Sequence, residues 1–190
     1  MNSESPVPAI GGCGAALALG LLALAACTPT LDWRAVRLPD TELVAELPCR
    51  PGRFQRDVVV AGVPLKLFML SCEAGGVTYG VATADVGDPT RVDAVLGALA
   101  TGAQAAVRSH DATVSAFELA GATPFHGNVS ARLHGVRPDG GVIEESMRVF
   151  GRGTRVFQVS AIGPTLSDAT AKPFEDGLRF DLENRVADPI

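Results

Sequence analysis

The chain has 190 residues, with 21 acidic and 16 basic side chains, and its formal net charge is −5. This balance argues against a nucleic-acid partner, because proteins that bind nucleic acids favour a basic surface. Aromatic residues account for 5% of the sequence, including one tryptophan and one tyrosine, so a stacking platform for carbohydrate is not expected.

The chain begins with a long uncharged stretch. Residues 7–27 contain no charged side chain and are rich in Ala, Leu and Gly. The stretch ends in Leu24-Ala25-Ala26-Cys27, which resembles the lipobox of bacterial lipoproteins. The resemblance implies a signal peptide over residues 1–26, a diacylglyceryl group on the thiol of Cys27, and an acyl chain such as palmitate on its amine. Two or more acyl chains anchor a protein stably, since each buried methylene contributes about 0.8 kcal/mol.

Two other interpretations of this stretch remain open. Residues 7–27 are about long enough for an uncleaved transmembrane helix, although each of their glycines costs a helix roughly 1 kcal/mol relative to alanine. The other alternative is an ordinary signal peptide cleaved at a different position. We expect the lipoprotein, whose partner is then the lipid bilayer. Thr28 stands where Asp would resemble an inner-membrane retention signal, so the expected location is the periplasmic face of the outer membrane.

Two cysteines belong to the remaining chain. Cys49 and Cys72 would lie in an oxidising compartment if Cys27 is lipidated, and pairing is expected there. A two-cysteine metal site and a redox pair are alternatives, but no third ligand has zinc-like spacing and the two do not form a C-x-x-C motif. We therefore predict a disulfide worth about 3 kcal/mol, with no metal and no cofactor.

The rest of the chain divides into a lipidated tether over residues 27–41, a folded domain over residues 42–180 and a polar tail over residues 181–190. Trp33, in the tether, is expected to pack on the edge of the domain. Alternating or continuous apolar residues between turn signals predict strands. The predicted strands cover residues 42–49, 54–60, 64–72, 77–86, 113–119, 126–137, 142–150 and 154–162.

Two helices are predicted between and after these strands. Asp88 is a good N-cap and Pro89 suits the first turn of a helix, and apolar residues at helical spacing then continue to about residue 108. Gly80, Ala82 and Ala84 give one face of the preceding strand small side chains, which would let this helix sit close to the sheet. A short second helix is predicted over residues 167–177.

The last three long strands are predicted to form a meander with three-residue loops. This register places Leu133 opposite Met147, and Met147 opposite Phe157. It gathers seven apolar side chains on one face, whereas a one-residue slip would divide them between both faces. The predicted set is Ala131, Leu133, Met147, Val149, Phe157, Val159 and Ala161.

The order of the elements resembles the PsbP-like α/β/α sandwich. The sequences that carry the resemblance are Tyr79-Gly80-Val81-Ala82, Arg155-Val156-Phe157-Gln158-Val159 and residues 174–180 (FEDGLRF). The predicted fold class is therefore α+β: a single domain with a meander-rich antiparallel β-sheet of about 6–8 strands, one long helix and a C-terminal helix packed on it. Members of this family are mostly non-catalytic accessory or binding proteins of bacterial envelopes, which is what the resemblance implies here.

Residues capable of catalysis are few. His134 and Ser130 share the polar face of one predicted strand, and the predicted register places Glu144 near His134. These three could form a hydrolytic site, but a solvated strand face is the better explanation. Two histidines with Glu144 could also bind a metal, yet His126 is about 26 Å from His134 along an extended strand.

The sequence thus predicts a non-catalytic binding or accessory module of the envelope, with an unknown envelope protein or a small ligand as its partner. An apolar pocket between the sheet and the long helix would be its binding site. The alternatives are an envelope hydrolase that uses His134, Glu144 and Ser130, and a structural component of the envelope.

Overall fold

The computed structural model describes residues 31–181 of the chain. This part contains ten strands and two α-helices, and a 3-10 turn at Pro89–Arg91 precedes the first helix. The helices are α1 (Val92–Ala106) and α2 (Asp168–Asp176). The strands are β1 (Arg34–Arg37), β2 (Leu43–Leu47), β3 (Gly52–Val60), β4 (Val63–Ala74), β5 (Val77–Asp85), β6 (Asp111–Ala116), β7 (Val129–Val136), β8 (Val142–Arg152), β9 (Arg155–Gly163) and β10 (Arg179–Phe180).

The strands form two antiparallel sheets, so the predicted α+β class with antiparallel pairing is confirmed. The larger sheet has seven strands in the order β3-β4-β5-β9-β8-β7-β6, and the smaller has three in the order β1-β2-β10. Strands β1 and β10 were not predicted from the sequence. Strand β1 lies within the stretch expected to be a tether, and it pairs along its whole length with β2. Its two arginines, one at each end of four residues, give no alternating pattern that would predict a strand. The fold therefore has a second sheet in addition to the one expected.

The predicted register of the meander is wrong in both hairpins. Strands β7 and β8 pair Leu133 with Glu145, a shift of two residues, which leaves every side chain on its predicted face. Strands β8 and β9 pair Met147 with Ser160 instead of Phe157, a shift of three residues. Because side chains alternate along a strand, the odd shift moves Phe157 and its alternate neighbours to the opposite face.

The shift places the apolar face of β9 (Phe157, Val159 and Ala161) on one core and its mixed face, which carries Val156 with Gln158 and Ser160, on the other side of the sheet. Phe157 lies opposite Phe150 and faces the small sheet and α2, whereas Val156 faces α1. The turn between the strands closes at Arg152 and Arg155 with Gly153 at a φ of +56°. The predicted seven-residue apolar face is thus divided between two cores, one on each side of the sheet.

The face of the seven-stranded sheet that carries Phe150 and Phe157 is called the closed face. The small sheet and α2 cover it and enclose an aromatic core, in which Phe150 stacks on Phe157 with ring centroids 5.2 Å apart. Tyr79 packs edge-on against Phe174 of α2 at 5.3 Å and against Trp33 at 6.0 Å. Trp33 thus packs on the edge of the fold, as expected from the sequence.

The opposite face, called the open face, is covered by α1. Asp88 caps the 3-10 turn by accepting a hydrogen bond from the backbone N–H of Thr90 at 2.9 Å. The apolar side of α1 then contacts the sheet through the buried Val92, Val95 and Leu96. The predicted helix is therefore present, although its first turn is a 3-10 turn.

Candidate functional site

Helix α1 crosses the open face diagonally and leaves part of it bare. Its N-terminal end lies beside the β3–β4 turn, where Arg91 donates a hydrogen bond to the carbonyl of Ala61 at 3.2 Å. Its C-terminal end lies on β7, where the N–H of Val136 donates to the carbonyl of Val107 at 3.1 Å. This close approach requires Gly135, because a Cβ there would lie 1.9 Å from the Val107 carbonyl oxygen.

The uncovered part of the open face forms a cavity of about 400 Å³, called the sheet groove. Strands β3, β4, β5, β9 and β8 form its floor, and the C-terminal half of α1 forms one wall. Leu67, Met69 and Ile162 supply apolar surface, and Gly80 and Ala82 leave room above the middle of the sheet. Its volume falls in the range of small-molecule sites, which are mostly apolar with few polar groups.

One acidic side chain lies at the floor of this groove. Glu145 is 1% exposed, and its Oε1 accepts a hydrogen bond from the Ser160 hydroxyl at 2.7 Å. Its other oxygen, Oε2, is buried and has no hydrogen-bond partner among the described residues. Burial raises the pKa of Glu145 above its ordinary range, and the hydrogen bond from Ser160 offsets only part of this effect. A buried carboxylate without a cation is costly, so such groups mark functional sites.

The surroundings of Glu145 offer no positive charge. Its cross-strand neighbours are Leu133 on β7 and Ile162 on β9. Of the described residues that line the groove, the other charged one is Arg56, on β3. Strand β3 is four strands away from β8, roughly 19 Å at about 4.8 Å per strand. Arg56 is therefore at the far end of the groove and cannot neutralise Glu145.

The closed face carries another acidic side chain, which is half-buried and paired with arginines. Glu175 of α2 forms an ion pair with Arg148 at 3.2 Å and lies 3.6 Å from Arg132. The Ser146 hydroxyl donates to Glu175, and Arg148 also donates to its backbone carbonyl. This cluster fastens α2 to the sheet and gives both carboxylate oxygens of Glu175 a partner.

The proposed hydrolytic residues are only partly brought together. His134 lies directly opposite Glu144, with Nδ1 3.8 Å from Oε1. Glu144 also accepts a hydrogen bond from the N–H of Leu166 at 2.7 Å. Ser130 lies four residues from His134 on the same strand, about 13 Å away, and its cross-strand neighbour is Arg148. The structure thus pairs the histidine with the acid but separates the serine from both.

The described residues bear on the metal hypothesis but not on the lipid anchor. His126 precedes β7 and is exposed. Within residues 31–181, no group of three or more histidine, cysteine or acidic side chains could hold a metal ion. In the same range, neither helix is long and apolar enough to cross a membrane. Cys27 and residues 182–190 of the predicted tail lie outside the described residues.

Cys49 and Cys72 lie at bonding distance, with Cα atoms 6.0 Å apart. Cys49 follows β2 of the small sheet, and Cys72 lies in β4 of the large sheet. The disulfide therefore joins the two sheets covalently across the closed face.

Comparison with known proteins adds no relatives: the chain matches no protein-family model, and no curated protein is significantly similar to it. The resemblances to lipoproteins and to the PsbP-like sandwich therefore stay predictions.

Glu145 was not recognised from the sequence, although a signal was present. It shares strand parity with Met147 and Val149, both predicted to face the core. An acidic residue in the apolar phase of a long strand is unusual, because ionised side chains are rarely buried without a partner.

Proposed function

We propose that the chain is a lipid-anchored, non-catalytic binding module of the bacterial cell envelope, which holds a small amphiphilic molecule in the sheet groove. The observation that carries this proposal is the groove itself, a mostly apolar cavity of about 400 Å³ with one buried polar pair, Glu145 and Ser160, at its floor. An apolar wall with a single fixed polar contact suits a molecule that has an apolar body and one polar end.

The cellular part of the proposal rests on the sequence. The lipobox-like Leu24-Ala25-Ala26-Cys27 supports cleavage before Cys27 and attachment to the periplasmic face of the outer membrane. The Cys49–Cys72 pair is in keeping with an oxidising compartment. A single folded domain that resembles the PsbP-like sandwich and includes β1 belongs to the same proposal, as does a partner that is not a nucleic acid.

The groove is favoured over a somewhat larger hollow among the described residues. That hollow is lined by residues 116–128 and has a volume of about 490 Å³. Its buried polar residue, Asn128, is already satisfied: it donates to the carbonyl of Thr123 at 2.8 Å and accepts from the N–H of Gly151 at 3.0 Å. A ligand there would find no unsatisfied buried side chain.

The binding part is tested with a neutral probe, 4-phenylbutanol, titrated calorimetrically into the full chain in lipid nanodiscs. Protein-free nanodiscs serve as the blank for partition into lipid. Gly80→Leu should abolish binding, because a Cβ at Gly80 meets nothing closer than 4.0 Å and the side chain would fill the groove. Gly97→Leu is the matched control, since Gly97 is exposed on α1 and has open space around it. Equal binding by wild type and Gly80→Leu would refute the groove as the site.

The anchor is tested by the intact mass of the protein from bacterial membranes, measured with and without reductant. We expect residues 27–190 plus a diacylglyceryl group and an acyl chain. Reduction should add the mass of two hydrogens for the Cys49–Cys72 disulfide. An unlipidated mass that retains residues 1–26 would contradict the anchor.

A further inference from the structure

We propose that the sheet groove selects ligands with a protonated amine, which forms an ion pair with Glu145 while the apolar body of the ligand lies along the groove. This inference rests on the proposed function, because it concerns the same groove and specifies the chemical class that it takes. The polar end of the amphiphile is then an ammonium group, and this end lies at Glu145.

The carboxylate of Glu145 is only half satisfied by hydrogen bonds from the described residues. Oε1 of Glu145 is occupied by the Ser160 hydroxyl, whereas Oε2 is buried without a partner among the described residues. The Ser160 hydroxyl is a donor in this contact, so it favours the carboxylate form of the side chain. A group that completes this arrangement must approach Oε2 from the groove and must itself donate a hydrogen bond.

Charge complementarity also favours a cation at Glu145. The closed face shows how this fold satisfies a half-buried carboxylate, since Glu175 has two arginines within 4.0 Å. Glu145 is more deeply buried, and Arg56 at the far end of the groove is the nearest candidate that the lining offers. Buried charges in proteins are paired or bind cations. The missing cation therefore belongs to the ligand.

The shape of the groove favours an apolar body on the ligand. The groove extends from Glu145 on β8 across β9 and β5 toward Leu67 and Met69 on β4. An ammonium group at Glu145 thus leaves the apolar part of the ligand over the small side chains of β5 and the apolar side chains of β4. A compact cation without an apolar body would leave this surface uncovered.

The test compares three probes that differ only at their polar end: 4-phenylbutylamine, 4-phenylbutanol and 4-phenylbutanoate. Each is titrated calorimetrically into the full chain in lipid nanodiscs, with protein-free nanodiscs as the blank. We expect the amine to bind wild type about tenfold tighter than the alcohol, and the carboxylate to bind most weakly. Glu145→Gln should remove the preference for the amine over the alcohol.

Glu73→Gln is the matched control for general surface charge. Glu73 lies on β4 opposite Thr78, which lines the groove, but its side chain is exposed. Its removal should leave the preference for the amine intact. If Glu73→Gln lowers the preference as much as Glu145→Gln does, surface charge explains the selectivity and the inference is wrong.

The remaining outcomes separate the two proposals. Equal affinities of wild type for the amine and the alcohol would overturn the amine preference but leave the groove as a binding site. A carboxylate that binds tightest, and loses this advantage in Glu145→Gln, would also overturn it, because a protonated Glu145 would then be the donor. Failure of all three probes to bind would refute the proposed function itself.

Discussion

The two faces of the seven-stranded sheet bury their side chains to different extents. The closed face lies under the small sheet and α2, and its core contains Phe150, Phe157 and Tyr79, each at most 1% exposed. The open face lies under α1 alone, which crosses it diagonally and leaves Leu67 and Met69 only partly covered. We infer that the closed face supplies most of the stability, while the open face has the room for a ligand.

The two acidic side chains, Glu175 and Glu145, show the same contrast. Glu175 is paired with arginines and contributes to the attachment of α2. Glu145 has a hydroxyl as its partner, and burial makes its charged form less favourable than its neutral form in the folded state. A site that costs folding free energy is typical of function, because stability alone would favour an apolar residue there.

The largest expected effect is from Phe150→Ala on the closed face. The side chain is fully buried and stacks on Phe157, so the cavity and the lost transfer free energy should lower the free energy of unfolding by about 3 to 5 kcal/mol. Urea denaturation measures the change. Leu67→Ala, in the groove, is the control and should cost only about 1 kcal/mol, because Leu67 is already partly exposed. Equal costs would show that the two faces contribute alike.

Removal of the disulfide should have the next largest effect. Cys49 and Cys72 are 23 residues apart in sequence, and their bond reduces the conformational entropy of the unfolded chain. The double variant Cys49→Ala/Cys72→Ala should lose about 3 kcal/mol of stability in the chain-entropy account. Urea denaturation of wild type with and without reductant should reproduce the loss. A loss that is much smaller would mean that the contacts between the two sheets suffice without the covalent link.

Arg148→Met tests the paired carboxylate on the closed face. It leaves Glu175 without its closest cation and also removes the contact of the guanidinium with the Phe117 ring, 4.9 Å away. We expect a loss of about 2 to 3 kcal/mol in the free energy of unfolding. Arg132→Met is the matched control and should cost less than about 1 kcal/mol, because Arg132 is more exposed and its ion pair is longer. Similar costs for both variants would contradict a specific role for Arg148.

Glu145→Gln should have the smallest effect on stability, and that effect should depend on pH. The folded state raises the pKa of Glu145 above its ordinary value of 4.5. Between the ordinary and the raised pKa the folded state binds more protons than the unfolded state, so the stability of wild type falls as pH rises through this window. The glutamine side chain of the variant does not titrate, so the variant should gain stability relative to wild type as pH increases.

Denaturation of both proteins at about pH 5 and about pH 8 measures this difference. Glu73→Gln, an exposed substitution on β4 of the same sheet, is the control and should show no such gain. If Glu145→Gln loses stability relative to wild type at the higher pH, the carboxylate of Glu145 is stabilised in the fold by a contact that compensates its burial.

Much of the local structure could be predicted from the sequence. The eight longer strands and both helices were expected near their observed positions, because strand alternation, helical spacing and turn residues are local signals. The α+β class follows from the same signals. Strands β1 and β10 were missed because β1 carries two arginines among its four residues and β10 has only two residues.

The candidate site could be predicted only in outline. A pocket between sheet and helix was expected, but the small side chains of β5 were expected to let the helix sit close to the sheet, whereas Gly80 and Ala82 line the groove. The position of Glu145 in that groove was not expected. It depends on the register of β8 with β9 and on the diagonal direction of α1, and neither is visible in a single stretch of sequence.

By itself, the sequence of this protein determined the order of its elements and the identity of the two cysteines available for a disulfide. Those features depend on neighbours within one strand, one helix or one turn. The tertiary structure alone decided which face of β9 meets the aromatic core and how much of the open face α1 covers. The physical reason is that the alternation along β9 defines one apolar face (Phe157, Val159 and Ala161) but not which side of the sheet that face meets. Contacts between distant residues decide both: Phe150 with Phe157 for the register of β9, and Gly135 with Val107 for the position of α1.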